Sequence, residues 1–480
     1  MPKLYFHPDI SYQETKSIEK KYNSKNHEYL VDKASDYICE VILKTVSVGK
    51  KILVFCGPGS NGMDGIHVAI KLRTLGHFVK IYSHHQNSHM SKRYALDASL
   101  VTEFETNEYD YIVDCIFGYG LNRDLNSEDI KLINNINSTN ATIFSVDVPS
   151  GLHPQTGKGC PVAIKCNTLI SLLTYKRGIF TNQGRDNWDL LFHSPLVSEQ
   201  IISDNYLFTA NNKLAGYHIS KDLYEYNSFS EHKKSKGISC IISGEQPYHG
   251  AMLLASQASM KRGCKYLHVY TDEEYAHSLP MIIPEIIAKP FSINDFEKNL
   301  SSYQNILVGP GMNLLCESYM DLIIQNIDMV ESVVVDAGAL QYLKKNYSSS
   351  YKLIITPHPG EAARMLGVKV EDIQNDRYDA ARKLYEIFNC IVILKGSGTI
   401  IYDGKSFYTC MDGNYRMAVA GMGDILSGIL LQELTINSNN LDACLKATSY
   451  HSFSADYLLK ADKLYMPSMI PDVYNNLLNS

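Results

Sequence analysis

Short uninterrupted runs of aliphatic and β-branched residues recur along this 480-residue chain, each giving way to a glycine- or proline-marked turn and then a helical pattern. In the first half the runs are KILVFC (51–56), FVKIYS (78–83), YIVDCIF (111–117) and TIFSVDV (142–148). Helical patterns fall between them, one from about Gly65 to Leu75 and one opening near Ser127 with Glu128 and Asp129 in its first turn. A strand with one wet face alternates apolar and polar residues. Runs without alternation need cover on both faces, which in βα order means a parallel sheet between helices. A second series follows: ISCIIS (238–243), YLHVYT (266–271), NILVGP (305–310), SVVVDA (332–337), KLIITP (352–357) and CIVILKG (390–396), with helices expected over Ala251–Arg262 and after Asp424. Between the series, from about Ser198 to Gly237, the period decays into Tyr, Asn, Ser and Lys, the mark of a junction. The reading is two different α/β domains, residues 1–212 and 213–480, since the halves share an architecture but no motif.

With 45% hydrophobic and 20% charged residues the chain is of ordinary globular composition, and its net charge of −6 offers no basic footprint for nucleic acid or an anionic membrane. No uncharged stretch reaches the ~18 apolar residues of a membrane span, and MPKLYFHPDISYQETK at the start lacks a basic-then-apolar signal pattern. The eleven cysteines are odd in number and form no CxxC, and Cys56, Cys115, Cys240 and Cys390 sit in apolar runs. They read as reduced, buried thiols of a cytoplasmic protein.

Directly after the first strand stands CGPGSNGMDG (56–65), in which Gly57, Gly59 and Gly62 fit G-x-G-x-x-G. Such glycines let backbone N–H groups at a helix start approach a pyrophosphate. A redox dinucleotide fold also keeps an acid at the end of its second strand, whereas KIYSHHQNSHMSKR (80–93) has none, which argues against that class. Two more loops lie at carboxyl ends of strands, DCIFGYGLNRD (114–124) and SVDVPSGL (145–152). Ligands bind at that edge of open parallel sheets. Any one acid there reads equally well as a cap or a solvated loop residue. Three loops together point Asn61, Asp64, Asp114, Asp147 and Ser150 at one oxygen-lined pocket, suited to a hard cation or to proton transfer.

These three segments, in this order, resemble the NAD(P)H-hydrate epimerase family (YjeF amino-terminal), over roughly residues 10–210. The resemblance implies a Rossmann-like fold that interconverts the epimers of hydrated nicotinamide nucleotides, NADHX and NADPHX, with one potassium ion. It implies Asn61, Asp114 and Ser150 as potassium ligands. Substrate contacts would be Ser60, Asn61, Gly62, Met63, Asp64, Gly118, Tyr119, Gly120, Leu121, Asn122, Arg123, Asp124 and Asp147, with Asp147 also catalytic. Ser60 and Met63 stand where the family usually has Asn and Gly, which bears on substrate affinity.

No G-x-x-x-x-G-K-[ST] loop exists in the second half. VAGMGDILSGIL (419–430) supplies another cradle: Gly421 and Gly423 precede an apolar helix with Asp424 in its first turn. Backbone N–H groups and the helix dipole there suit a transferring phosphoryl group, and Asp424 suits a hydroxyl proton, although an N-capping Asp would look the same in isolation. His358, between Pro357 and Pro359, is held out of regular structure in a loop. With TPHPGEAARMLG (356–367), HGAMLLASQA (249–258), LVGPGM (307–312), DAGAL (336–340) and LKGSGT (394–399), the set resembles the ADP- or ATP-dependent NAD(P)H-hydrate dehydratases, ribokinase-like α/β/α domains, over about residues 215–475. The resemblance implies Lys395, Gly396, Ser397, Gly398, Thr399 and Gly423 on the nucleotide, carried with magnesium, and Ala251, Gly311, His358 and Asp424 on the hydrate, Asp424 being the base. Gly338 replaces the family's usual Asp, and Val419, Ala420 and Met422 replace Thr, Gly and Thr. His232, Lys233, Lys234 and Lys236 would either steer phosphates or form a solvated linker face.

The expected protein is therefore a bifunctional repair enzyme, a homo-oligomer that epimerises R- and S-NAD(P)HX and dehydrates the S form with ADP or ATP. Two alternatives stand beside it: a ribokinase-like small-molecule kinase of the hydroxymethylpyrimidine type, which shares the GMGD cradle but not TPHPGE, and a nucleotide-binding sensor with one inactive domain.

Overall fold

The computed structural model describes residues 16, 19–20, 29–84, 100–101, 103–105, 108–196, 237–344, 352–437, 439–461 and 464–473. They fall into two compact units that divide between Leu196 and Gly237. The expected boundary at 212/213 and the basic residues 232–236 lie outside the described residues.

In the amino-terminal unit, helix α1 (Tyr29–Leu43) precedes β1 (Lys51–Cys56), α2 (Ser60–Thr74), β2 (Phe78–Ser83), β3 (Leu100–Val101), β4 (Tyr111–Cys115), α3 (Ser127–Asn137), β5 (Thr142–Val146), β6 (Cys166–Leu172) and β7 (Trp188–Ser194). Among the described residues the strands form one parallel sheet in the order β3-β2-β1-β4-β5-β6-β7. That order reverses between β1 and β4, and in open parallel sheets the crevice at such a reversal is where ligands enter. The apolar runs are continuous because the sheet is covered: Ile52, Val54 and Cys56 of β1 pack with Ile38 and Ile42 of α1 and Val68 and Leu72 of α2. Helix α1 buries Leu30, Ala34, Ile38, Val41 and Ile42, a 3.6-residue stripe. Helix α3 starts at Ser127 as expected, because Asn126 accepts from the Glu128 and Asp129 N–H groups at 2.9 and 2.8 Å.

In the carboxy-terminal unit the order is β8 (Ile238–Ile242), α4 (His249–Lys261), β9 (Leu267–Thr271), α5 (Glu273–Ile282), β10 (Ile287–Pro290), α6 (Ile293–Asn299), β11 (Tyr303–Val308), α7 (Cys316–Gln325) and β12 (Ser332–Val335). It continues through β13 (Leu353–Ile355), α8 (Pro359–Leu366), α9 (Val370–Asn375), α10 (Arg377–Phe388), β14 (Ile391–Leu394), β15 (Ile400–Tyr402), β16 (Phe407–Thr409), α11 (Met422–Ile436) and α12 (Asn440–Lys460). The sheet order is β10-β9-β8-β11-β12-β13-β14-β15-β16, parallel as far as β14 and antiparallel beyond. Alternate residues of each central strand feed two separate cores: Ile306, Val333 and Ile355 lie in one, Leu307, Val334 and Ile354 in the other. This is an α/β/α sandwich, each such aliphatic contributing about 1.5–3 kcal/mol by burial. Every expected strand is present: Lys51–Cys56 and Phe78–Ser83 at their expected length, Tyr303–Val308 starting two residues early and ending two early, and the others one to three residues shorter than expected.

Helix α2 begins at Ser60 rather than near Gly65, so Gly62 and Gly65 lie inside it. A Cβ at Gly57 would sit 1.8 Å from the Ile116 carbonyl, and one at Gly62 1.9 Å from that of Gly57, whereas Gly59 meets nothing within 4 Å. Two of the three motif glycines thus let the turn fold onto its neighbours, and the third leaves open space for a ligand.

Candidate active sites

At the reversal point of the first sheet lies a cavity of about 890 Å³. Among the residues implied as substrate contacts, Ser60, Asn61, Met63, Asp64, the segment 118–123 and Asp147 line it. Gly62 is buried beneath the turn, and Asp124 is exposed and outside the lining. Helix α2 opens at Gly59 with no side-chain cap, leaving its first N–H groups to a ligand. Asp147 holds a left-handed backbone (φ +69°) at the end of β5, accepts from the Tyr119 N–H at 3.0 Å and pairs with the buried ammonium of Lys176, which also donates to the Leu172 carbonyl at 2.6 Å. A non-glycine residue at such a φ is strained, and strain of this kind clusters at functional sites. Burial, followed by the charges of Asp147 and Glu19, pushes the Asp64 carboxyl well above its ordinary range. Burial likewise raises Glu19, to which the Tyr119 hydroxyl donates. Lys176 and Glu19, both in the lining, carry no role in the sequence reading.

Beneath this cavity Asn61, Asp114 and Ser150 converge. Asp114 is fully buried and accepts from the Ser150 hydroxyl (2.6 Å), the Ser145 hydroxyl (2.8 Å), and the Ser150 and Ile116 N–H groups (2.9 and 3.2 Å). Burial still raises its carboxyl above the usual range, against those four bonds. Asn61 donates through Nδ2 to the Phe117 and Val146 carbonyls at 3.1 and 3.2 Å, and its Oδ1 is buried with no hydrogen-bond partner. Asn61 Nδ2 and the Ser150 hydroxyl meet at the Phe117 carbonyl, and Ser150 in turn bonds Asp114, so the unpartnered amide oxygen belongs to a cluster of hard oxygen donors, the chemistry a potassium ion takes. At the end of β2, where redox dinucleotide folds keep an acid, His84 stands, its Nε2 2.5 Å from buried Asp129.

The second site forms at the carboxyl edge of β8, β11, β12, β13 and β14. The turns after β8 and β11 are laced by Gly244 N–H to the Pro310 carbonyl (3.1 Å) and Glu245 N–H to that of Gly311 (2.7 Å). Gly311 has φ +60°, and a Cβ there would lie 3.1 Å from that of Ala251, so these two expected contacts adjoin. Asp336, one residue past β12, meets the Lys395 ammonium at 2.8 Å and the Ser427 hydroxyl at 2.6 Å. Burial alone would raise Asp336, but Lys395 outweighs it and holds the carboxyl below its ordinary range. Burial opposes the Lys395 charge in turn, and the carboxylates of Asp336, Glu361 and Asp424 raise its affinity for the proton. Asp424 sits in the first turn of α11, whose start at Gly421 has no side-chain cap. Its pKa is raised to about 7, first by burial and then by Asp336, with Lys395 opposing. Gly423 adjoins, a Cβ there lying 3.1 Å from Lys395 Nζ.

His358 caps α8: its Nδ1 accepts from the Gly360 and Glu361 N–H groups at 2.9 and 3.2 Å, and Glu361 accepts from the His358 N–H at 2.8 Å. The cap takes the Nδ1 lone pair, so the neutral ring carries its proton on Nε2, on a side chain 52% exposed. Gly338, the departure from the usual Asp, cannot carry a side chain in this backbone, since a Cβ would fall 1.9 Å from the Met312 carbonyl. The guanidinium beneath residues 394–398 belongs to Arg377, which the sequence did not single out.

Two doubly wound domains, each with carboxylates gathered at its strand ends, make this a two-site α/β enzyme of nucleotide chemistry. Family models agree: residues 27–178 match the YjeF-related protein N-terminus and residues 239–473 the NAD(P)H-hydrate dehydratase family. The bifunctional NAD(P)H-hydrate repair enzyme Nnr of Vibrio cholerae is 32% identical over 357 residues, 73% of this chain and 71% of that one. The enzyme of the same name from Escherichia coli is 29% identical over 418 residues, covering 85% and 80%. A solved structure, the ADP/ATP-dependent NAD(P)H-hydrate dehydratase from Bacillus subtilis co-crystallised with ATP/Mg2+, overlaps 52% of this chain and 92% of its own with a TM-score of 0.46 and 26% identity. The chain belongs to the family of bifunctional NAD(P)H-hydrate repair enzymes.

Proposed function

We propose that the amino-terminal site interconverts the R and S hydrates of NADH and NADPH and that the carboxy-terminal site dehydrates the S form at the expense of ADP or ATP, carried as the magnesium complex. The observation that carries the second half is Asp424, a carboxyl poised at about 7 on an uncapped helix start beside Lys395. A base of that value takes the hydrate's hydroxyl proton as the oxygen bonds to the terminal phosphorus and the shortened nucleotide departs. Phosphate, unlike hydroxide, then leaves readily, and loss of a ring proton restores the double bond. In the first half Asn61, Asp114 and Ser150 would hold potassium, whose charge would anchor the pocket floor, while Asp147, paired with Lys176, and Asp64, favoured in its neutral form, provide proton-accepting and proton-donating groups facing one cavity. All eleven cysteines are buried and free, which supports the reducing setting of a cytoplasm. Among the described residues no helix is long and apolar enough to cross a membrane. The test is to give the purified protein S-NADHX with magnesium and ADP and, in a parallel sample, with magnesium and ATP, the outcome being read from both together. Recovery of the reduced-nicotinamide absorbance supports the reading, and an unchanged hydrate rejects it, as a kinase for another alcohol or a catalytically silent sensor would give.

A further inference from the structure

The turn that joins β14 to β15, residues 395–399, is folded around one side chain from elsewhere in the chain. Arg377 opens α10 and is only 2% exposed. Its guanidinium donates to the carbonyls of Leu394, Lys395 and Gly398 at 3.1 Å each, and to that of Ser397. Burial lowers its pKa to about 10, so the charge persists at neutral pH. In a planar trans peptide the N–H points opposite to the C=O. Four carbonyls drawn inward therefore turn the N–H groups of Lys395, Gly396, Gly398 and Thr399 away from Arg377. The Lys395 N–H shows this directly by reaching the Pro357 carbonyl at 2.9 Å. The other three lie in a turn whose top is exposed at Gly396 and Ser397. Gly396 has φ +143°, and a Cβ there would come within 2.8 Å of Arg377 Nη2, so the close approach of the guanidinium excludes a side chain at that position.

We infer that Arg377 is the positioning residue that preassembles the 395–399 turn as an anion cradle, its buried charge gathering the carbonyls on one side and presenting amides and the Lys395 ammonium to the nucleotide phosphates on the other. The inference rests on the reading of this turn as the nucleotide site. Arg377 itself is covered by the turn and does not touch the ligand. Five donors in a fixed fork can gather several carbonyls at once, and a lysine's single ammonium cannot hold the same geometry.

The experiment measures Kd for ADP, kcat, KM for the S hydrate and Tm in wild type, Arg377→Lys and Gly396→Ala, together with amide hydrogen exchange of residues 395–399 in wild type with and without ADP. The expected result is ADP protection of these amides in wild type, and a Kd for ADP raised at least tenfold in both variants, with the hydrate KM within twofold. Added guanidinium at low millimolar concentration should partly restore ADP binding to Arg377→Lys but not to Gly396→Ala. Gly396→Ala keeps the buried charge and so answers the question even if Arg377→Lys does not fold. ADP protection in wild type with unchanged ADP affinity in the folded variants would overturn the positioning role alone. No protection of these amides in wild type would overturn the nucleotide reading of the turn, and the inference with it.

Discussion

If Asp424 is the base of the dehydration, its raised pKa must appear in the rate. At a value of about 7, the ionised fraction falls from about 90% at pH 8 to about 1% at pH 5, whereas a carboxyl at its ordinary value would stay more than about 90% ionised across that range. The value of kcat/KM for the S hydrate, which reports the free enzyme's groups, should therefore fall about 100-fold between pH 8 and pH 5, one decade per pH unit below about 7. The assay is the initial rate of reduced-nicotinamide recovery at fixed ADP, with Asp424→Asn as control. The amide keeps the shape but accepts no proton, so its rate at pH 8 should be down by ~10²–10⁴ and its residual profile should lack this limb. The same shift has a stability consequence. The unfolded carboxyl ionises near pH 4 and the folded one only near 7, so the contribution of Asp424 is complete below pH 4 and lost as the pH rises through 7. A shift of about three units corresponds to ~4 kcal/mol, discounted to roughly 2 for a partly exposed group. Asp424→Asn should accordingly melt higher than wild type at pH 8 and equally at pH 3.5. A flat wild-type rate profile, or the same acid limb in Asp424→Asn, would refute the reasoning.

Three further outcomes are expected. Epimerisation should saturate with KCl in wild type and fail in Asn61→Leu, which removes the unpartnered Oδ1, while ADP-driven loss of pure S hydrate is unchanged; KCl-independent epimerisation would remove potassium from the account. Lys176→Met leaves Asp147 buried without its cation, a change worth about 3–5 kcal/mol, so the amino-terminal unit should melt several degrees lower in calorimetry at pH 7.5, and epimerisation should stop; an unaltered Tm would contradict the pair. Gly62→Ala forces a Cβ to within 1.9 Å of the Gly57 carbonyl and should disrupt the turn, lowering Tm and raising the hydrate KM, whereas Gly59→Ala, with open space around it, should keep its Tm.

How much of this the sequence shows follows from the range of the forces involved. The central strands are legible because both sheet faces are covered, which removes polar residues from 52–56 and 333–335, after an opening Lys51 or Ser332, and leaves an unmistakable run. The glycine turns are legible because sterics act between residues five apart, as between Gly57 and Gly62. The residues at the strand ends come together within each unit by topology once the strands are placed, Asp114 and Asp147 along one sheet edge and Asp336 and Lys395 along the other sheet's. Strands β6, β7, β15 and β16 are less so: β15 and β16 have three residues each, and Trp188–Ser194 mixes exposed and half-buried positions. Lys176 and Arg377 carry no local signal. Each reads as a surface charge in TYKRG or NDRYDAAR, and only packing against Asp147, 29 residues away, or carbonyls about 20 residues away makes it part of a site. The Glu19–Tyr119 pair spans 100 residues and has no periodic trace.

The central claim is that one chain holds two independent sites that act in sequence on one substrate. The most direct measurement gives an equal mixture of R and S hydrate, with excess ADP in potassium buffer, to wild type and to Asp114→Ala, and follows the amplitude of the fast recovery phase. Asp114 supports the epimerase floor through four hydrogen bonds and would lie on the cation. Wild type should run to completion. The variant should convert about half at an unchanged fast rate and stall with the R epimer left, apart from slow spontaneous epimerisation. Complete fast conversion by Asp114→Ala, or a stall at half conversion by wild type, would contradict the account.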